Sequence, residues 1–322
     1  MTSANEAFLV ERFTVFASAS GAPAIAAENL KSISVTYTNK LGNLVTQTST
    51  PSSGGSVSFA FAGDNRPYVP KDSSTDIIVK ADLKTKTEGA TNNVAFSLDF
   101  SDTFSGSTAN GFRAVGDGSS QVVDGATSTV ADVVGNNMYN FRVFPKFDQV
   151  AITAGETLGT KDVLKFTVTS MGLPYSKLFF DNLNAGSGSI KFEAVASGDA
   201  AATNWTSTVT TYDMSDGSIV SQDSLLLVGD SPSYFASLTL DFGTPGKDVE
   251  ISGGQSKTFR IEVGFSGFND KSDYFQLILR DDAAGLINWV ANSTGSVNDA
   301  DTASTTTVLR LLPMNGPTFS KL

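Results

Sequence analysis

Residues 256–265 read SKTFRIEVGF, and residues 74–83 read STDIIVKADL. Laid one on the other, Ile77, Val79, Ala81 and Leu83 fall on Phe259, Ile261, Val263 and Phe265. Both stretches alternate apolar with polar residues. Successive side chains of a strand point to opposite faces, so this alternation predicts a strand with one face in a core. Neither stretch carries a reactive set of side chains. The pair therefore speaks to architecture, not to chemistry.

Four more segments recur in the same order. Phe13-Thr14-Val15 returns as Phe166-Thr167-Val168, and Val57, Phe59 and Phe61 return as Leu238, Leu240 and Phe242. Val94, Phe96, Leu98 and Phe100 fall on Phe275, Leu277, Leu279 and Asp281, and FRVFP ending at Pro145 is matched by LRLLP ending at Pro313. Proline suits a strand end, where no ladder donor is needed. Between these marks, Ile33, Val35 and Tyr37 alternate up to a turn at Leu41-Gly42-Asn43-Leu44, and Pro51–Gly55 is a loop.

The recurrence predicts an all-β chain of two tandem immunoglobulin-like (or related) antiparallel β-sandwich domains, with about seven short strands each. Domain 1 is expected over 1–147, a linker over 148–160, domain 2 over 161–314 and a tail over 315–322. Changes in spacing between matched segments assign the second domain an insertion within 182–228. The first domain receives one within 103–137. Long glycine-rich stretches of this kind are usually functional or mobile loops. The closing Pro313–Leu322 reads as the start of a linker or as a segment that docks elsewhere.

The chain has 322 residues, which suits about two domains of ~100–200 residues each. Hydrophobic residues make up 40% of it, enough for buried cores, and 23 Phe against 2 Trp make phenylalanine the main core aromatic. With 22 basic and 33 acidic residues the net charge is −11. That balance opposes binding to nucleic acid or insertion at an anionic bilayer, where cationic side chains supply the affinity. It suits a soluble extracellular protein, a collector of divalent cations, or simply a surface kept soluble by its charge.

There is no cysteine and no histidine. Disulfides, thiolate metal sites and Cys nucleophiles are excluded with the first. Ser-His-Asp triads, His-based zinc sites and most proton shuttles go with the second. A glycosidase needs only two carboxylates, but 33 acids always offer pairs, so their presence points nowhere. No catalytic residue and no cofactor is expected.

No apolar run approaches the ~20 residues of a membrane span. Glu11 and Arg12 interrupt the first apolar stretch, which rules out a signal peptide within residues 1–20. Met1 is read either as an initiator or as the added start of a trimmed chain. The second fits the extracytoplasmic look of the remaining residues.

The densest carboxylates are Asp281, Asp282, Asp299 and Asp301, all beside turns. Their oxygens would suit Ca²⁺, against the plainer reading of solvated turn acids. Asp213-Met214-Ser215-Asp216-Gly217 only half resembles a calcium loop. Gly116-Asp117-Gly118 and Gly186-Ser187-Gly188 precede no helix whose N-terminus could hold a phosphate, so they are loop glycines. Asn204-Trp205-Thr206 and Asn292-Ser293-Thr294 fit the N-glycosylation pattern. An exposed Trp205 with Tyr212 or Tyr234 would form a stacking platform for sugar rings. The competing reading buries both tryptophans, and Trp289 alternates with Ile287 as a core residue would.

The Gly253-Gly254 turn, the Ser256–Val263 strand after it and the closing Leu312-Pro313-Met314-Asn315-Gly316 carry a family likeness. They resemble the repeated immunoglobulin-like β-sandwich modules of bacterial surface-layer-type and other extracellular structural proteins. The first unit departs from the pattern, with Lys71-Asp72-Ser73 at the turn and Phe144-Pro145-Lys146 at its end. The resemblance implies an extracellular, cell-surface protein that associates with itself and has no catalytic residues to carry over.

The leading expectation is a subunit of a self-assembling surface layer or filament. Its partner would be further copies of itself, joined by edge-strand addition or by insertion of the 313–322 tail into a neighbour. Two alternatives stand beside it. One is an adhesin or carbohydrate-binding module that meets a cell-surface glycan through 182–228. The other is a virion or appendage decoration protein.

Overall fold

The computed structural model describes the chain apart from residues 4, 20–26, 92–93, 101–110, 126–131, 137, 181–188, 198–205, 227–233, 242–248, 267, 269–270, 272, 281–286, 292–308, 310 and 322. The regular structure is nearly all antiparallel strand, as the alternation predicts. The chain separates into two units, Met1–Phe141 and Arg142–Leu322.

The first unit contains β1 (Thr2–Ser3), β2 (Phe8–Ala19), β3 (Leu30–Thr38), β4 (Leu44–Ser49), β5 (Ser56–Ala60) and β6 (Tyr68–Val69). It continues with β7 (Ser73–Ser74), β8 (Ile78–Leu83), β9 (Val94–Phe100), β10 (Phe112–Gly116), β11 (Val122–Asp124) and β12 (Met138–Asn140). One sheet is built on β2, in the order β11-β10-β2-β9-β12, with β5 and β6 also paired to β2. A second sheet has the order β4-β3-β8, and β1 pairs with β7. Ile33, Val35 and Tyr37 of β3 share one buried cluster with Val10, Phe13, Val15 and Ala17 of β2. The two inner faces thus form a sandwich core. Phe13 stacks on Phe100 at 4.8 Å, and Tyr37 meets Phe61 edge-on at 5.0 Å.

Strict alternation would put Val10 and Phe13 on opposite faces, yet both are buried. The ladder explains it: Arg113 pairs with Arg12 and Ala114 with Val10, leaving Glu11 as an extra residue in β2. A bulge of this kind resets the phase of a strand. Glu11 then forms ion pairs with Arg113 at 2.8 Å and Arg66 at 3.5 Å.

The second unit contains β13 (Val143–Gln149), β14 (Gly159–Gly172), β15 (Lys177–Phe180), β16 (Ser189–Ser197), β17 (Thr206–Asp213), β18 (Ile219–Leu226) and β19 (Tyr234–Asp241). After these come β20 (Val249–Ser252), β21 (Ser256–Phe265), β22 (Tyr274–Leu279), β23 (Val290–Ala291), β24 (Met314–Asn315) and β25 (Phe319–Ser320). One sheet runs β13-β14-β21-β17-β18, and another runs β19-β16-β22-β24 with β25 also on β22. A short third sheet has the order β20-β15-β23. Phe166 of β14 approaches Phe192 of β16 at 5.7 Å, and Phe265 of β21 approaches Phe275 of β22 at 5.2 Å. These contacts bridge the two larger sheets.

Several placements differ from the expectation. The FRVFP segment does not close the first unit; β13 pairs along β14, and Val143 and Phe147 are fully buried in the second unit. The division therefore falls earlier than residue 147. Residues 182–228, within which an insertion is expected, supply β16, β17 and β18, and Ile190, Phe192 and Val209 sit in the core. Within 103–137, β10 pairs with β2 and buries Phe112 and Ala114. The tail is part of the fold: β24 and β25 pair with β22, burying Met314 and Phe319.

Nor do the matched segments hold equivalent places. β2 pairs with β5, β9 and β10, whereas its match β14 pairs with β13 and β21. β21 lies centrally with Phe259, Ile261, Val263 and Phe265 buried, whereas β8 is an edge strand whose matched Val79 and Ala81 are only partly buried and whose Leu83 is exposed. Alternation belongs to any strand with one buried face. Similar spacings can therefore align strands that have different neighbours.

Candidate functional site

The polar side chains of the second unit gather on the outer face of its five-stranded sheet. Because Phe259, Ile261 and Val263 point inward, period two sends Thr258, Arg260 and Glu262 outward. Arg260 pairs directly with Tyr212 of β17, and its guanidinium lies 4.4 Å from the centre of the tyrosine ring. It also reaches Asp162 of β14 at 3.0 Å and Glu262 at 3.6 Å. The Tyr212 hydroxyl donates to Glu262 at 3.3 Å. The ring expected as a sugar platform thus has a cation over one face. Three adjacent strands are tied together through it.

The turn after β17 is held by its own acids. Asp213 accepts hydrogen bonds from the Ser215 N–H at 2.9 Å and the Ser215 hydroxyl at 2.6 Å, and pairs with Lys257 Nζ at 2.5 Å. Burial pushes the Asp213 carboxyl up, but Lys257 and Ser215 outweigh it and hold it below the usual aspartate value. Asp216 accepts from the Ser218 N–H at 2.8 Å, which keeps its carboxyl low as well. Gly217 takes the left-handed conformation, with φ +75°, that closes the turn. Both carboxylates of the half-resembling calcium loop are committed to the turn itself.

A similar device holds the β10–β11 turn. The Glu6 carboxylate accepts from the Ser119 hydroxyl and from the Ser119 and Gly118 N–H groups, and these bonds depress its pKa. At the entry to β9, Glu88 pairs with Lys31 at 2.8 Å and accepts from Thr85, which brings its carboxyl down to about 2.

Trp289 is a core residue, 3% exposed, and its indole N–H donates to the Val143 carbonyl at 2.7 Å. Trp205, Asp281, Asp282, Asp299 and Asp301 lie outside the described residues. Among the described residues no group of three His, Cys, Asp or Glu is placed to hold a metal ion. Nor, among them, is any helix long and apolar enough to cross a membrane.

Cross-strand pairing recurs over both units. Thr36 meets Thr46 at 2.8 Å, Ser32 meets Asp82 at 2.9 Å, Thr167 meets Thr258 at 2.8 Å and Thr169 meets Ser256 at 2.8 Å. Arg280 pairs with Glu193 and Lys177 with Glu250, each at 2.6 Å. Sequence reasoning misses these pairs because each joins residues on different strands. The alternating polar positions are visible in the sequence, but their partners are not.

No protein-family model matches the chain, and no curated protein sequence is similar to it. Among solved structures, it is similar at 10% identity to AvmM, which catalyses macrocyclization in alchivemycin A biosynthesis, with a TM-score of 0.27. That likeness covers 55% of this chain and 88% of AvmM. The C-terminal domain of AspA, an antigen I/II-family protein of Streptococcus pyogenes, is 12% identical over 85% of this chain and 95% of its own, with a TM-score of 0.17. The C-terminal domain of the AgI/II polypeptide BspA of Streptococcus agalactiae is 11% identical over 93% of this chain and 92% of its own, also at 0.17. Scores this low do not establish a shared fold.

Proposed function

We propose that the protein is a structural component of the cell exterior, a subunit of a surface layer or filament. The observation that carries this reading is the lacing of the outer sheet faces. Paired hydroxyls, ion pairs and the Tyr212–Arg260 contact join one strand to the next in both units. Each such pair contributes only about 0.2–1 kcal/mol. Distributed over several sheets, they oppose the separation of strands, which is what a module under tension must resist. A composition without cysteine or histidine suits the same purpose, since there is no disulfide to reduce and no imidazole to titrate in mild acid.

Electron microscopy of the purified full chain, with and without Ca²⁺, tests the reading. Ordered sheets or fibres are the expected outcome. Dispersed particles that bind a glycan would replace it with the adhesin reading.

A further inference from the structure

Sheet edges expose unpaired backbone groups, and proteins normally blunt them with charge, proline or shortness. Most edges of this chain are blunted. β8 carries Lys80 and Asp82, β13 carries Pro145 and Lys146, β18 carries Asp223 and β20 carries Glu250. β11, β12, β23, β24 and β25 are two or three residues long. β19 runs beside β18, and on β5 the first outward carbonyl, of Ser56, already accepts the Ser52 N–H.

β4 has none of these devices. Its sequence LVTQTS is six residues long, uncharged and free of proline. The Asn39 N–H bonds the Asn43 carbonyl at 2.9 Å, which marks that pair as a hydrogen-bonded one. Antiparallel pairs alternate, so Val45, Gln47 and Ser49 bond β3, while Leu44, Thr46 and Thr48 turn their N–H and C=O groups outward. No described backbone group pairs with that outward row.

We propose that β4 joins two copies of this chain, antiparallel about a two-fold axis, with Thr46 opposite the partner's Thr46. The choice of a second copy rests on charge and symmetry. The chain carries −11, so two copies repel over most of their surfaces, and an uncharged edge is where they can meet. A basic partner would gain nothing from it. About Thr46 the outward row is self-complementary, with Leu44 facing the partner's Thr48, so no like charges are brought together. Leu44 is 74% exposed, and the pairing covers it with the methyl of the partner's Thr48. Two β4-β3-β8 sheets become one continuous sheet. A single-strand contact falls short of the ~1,200 Å² of a stable interface, so association depends on concentration and strengthens when many copies are aligned. The pairing rests on the proposed structural role and names the contact that role would use.

Sedimentation of the full chain from micromolar to millimolar concentration tests it. Wild type should associate, and Thr46→Lys should weaken association at least about tenfold while the melting temperature stays within a few degrees. Because the chain has no cysteine, Thr46→Cys reports register. Opposed Cα atoms of a hydrogen-bonded pair lie ~5.5 Å apart, within the ~4.4–6.8 Å of disulfides. Thr48→Cys would face the partner's Leu44 and leave its own counterpart about four residues away, ~13 Å along the strand. Faster cross-linking of Thr46→Cys than of Thr48→Cys supports the pairing. Equal rates, association indifferent to Thr46→Lys, or a wild type that stays monomeric would each overturn it. Ordered arrays that survive Thr46→Lys would overturn this edge and leave the structural role standing.

Discussion

The ring of Phe319 lies 5.7 Å from that of Phe265. Phe265 ends β21, the central strand of its sheet, and Phe319 belongs to the last strand of the chain, paired to β22 of the facing sheet. The terminal segment therefore closes the core between the two sheets.

Truncating that ring should be costly. Phe319 is 1% exposed, and Phe→Ala in a packed core costs about 3–5 kcal/mol. Phe319→Ala is expected to lower the stability of the second unit by that amount in urea titration. Deleting 313–322 removes Met314 as well. Calorimetry of the shortened chain should lose the transition of the second unit and keep that of the first. An unchanged trace would show that the tail is dispensable.

Gly316 lets the same segment lie close. A Cβ there would stand 2.6 Å from the Val163 carbonyl oxygen and 2.9 Å from that of Leu277. Both are backbone atoms of neighbouring strands and cannot rotate away. Gly316→Ala should cost about 1–3 kcal/mol through overpacking. Gly264→Ala is the control, since its nearest new contact is the Ser207 hydroxyl at an ordinary 3.6 Å. Equal melting shifts for the two variants would count against the close approach.

The bulge in β2 absorbs one residue, and Glu11 is that residue. Glu11→Ala removes two partly exposed ion pairs, a loss of about 1 kcal/mol or less. Deleting Glu11 leaves Val10 and Phe13 two positions apart, so a regular ladder with Ala114 and Phe112 keeps both inward. Deleting Thr14 instead makes Phe13 and Val15 adjacent and turns one part of the inward row to the other face. The first deletion should keep, and the second abolish, cooperative unfolding of the first unit, read by near-ultraviolet circular dichroism. Loss of cooperativity in both would mean that the bulge does not absorb the extra residue.

These sites also show what can be read from the sequence. β3, β9 and β21 are legible because their inner faces are built from large apolar residues at every second position. β17 is not, because its inward row is Ser207, Val209, Thr211 and Asp213, three polar residues and one valine, all buried. Ser207 Oγ donates to the Gly264 carbonyl at 2.6 Å and Asp213 pairs with Lys257, and both partners lie on β21. β2 and β14 hide their phase behind bulges at Glu11 and Val163. The tail strands are two residues each, too short for any period. Of the candidate site, Tyr212 stands out in the sequence as an aromatic beside a turn. The cation above its ring comes from β21, and no spacing pairs the two.

Acid should weaken the fold below about pH 4. Glu6, Asp213, Asp216 and Glu88 all have carboxyls held below their ordinary values by hydrogen bonds or ion pairs. Groups depressed in the folded state stabilise it above their unfolded values, ~3.9–4.3. That contribution is lost as pH falls through the folded values, which for Glu88 extends to about 2. With no histidine to titrate, the melting temperature should be level between about pH 5 and 7 and then decline steadily toward pH 2. Asp213→Asn isolates one contribution. The amide cannot gain a proton, so the variant should start about 1–2 kcal/mol less stable at pH 7, having lost charge-assisted bonds, and decline less steeply on acidification. A slope identical to that of wild type would remove Asp213 from the acid response and leave it to the turn carboxylates Glu6, Glu88 and Asp216.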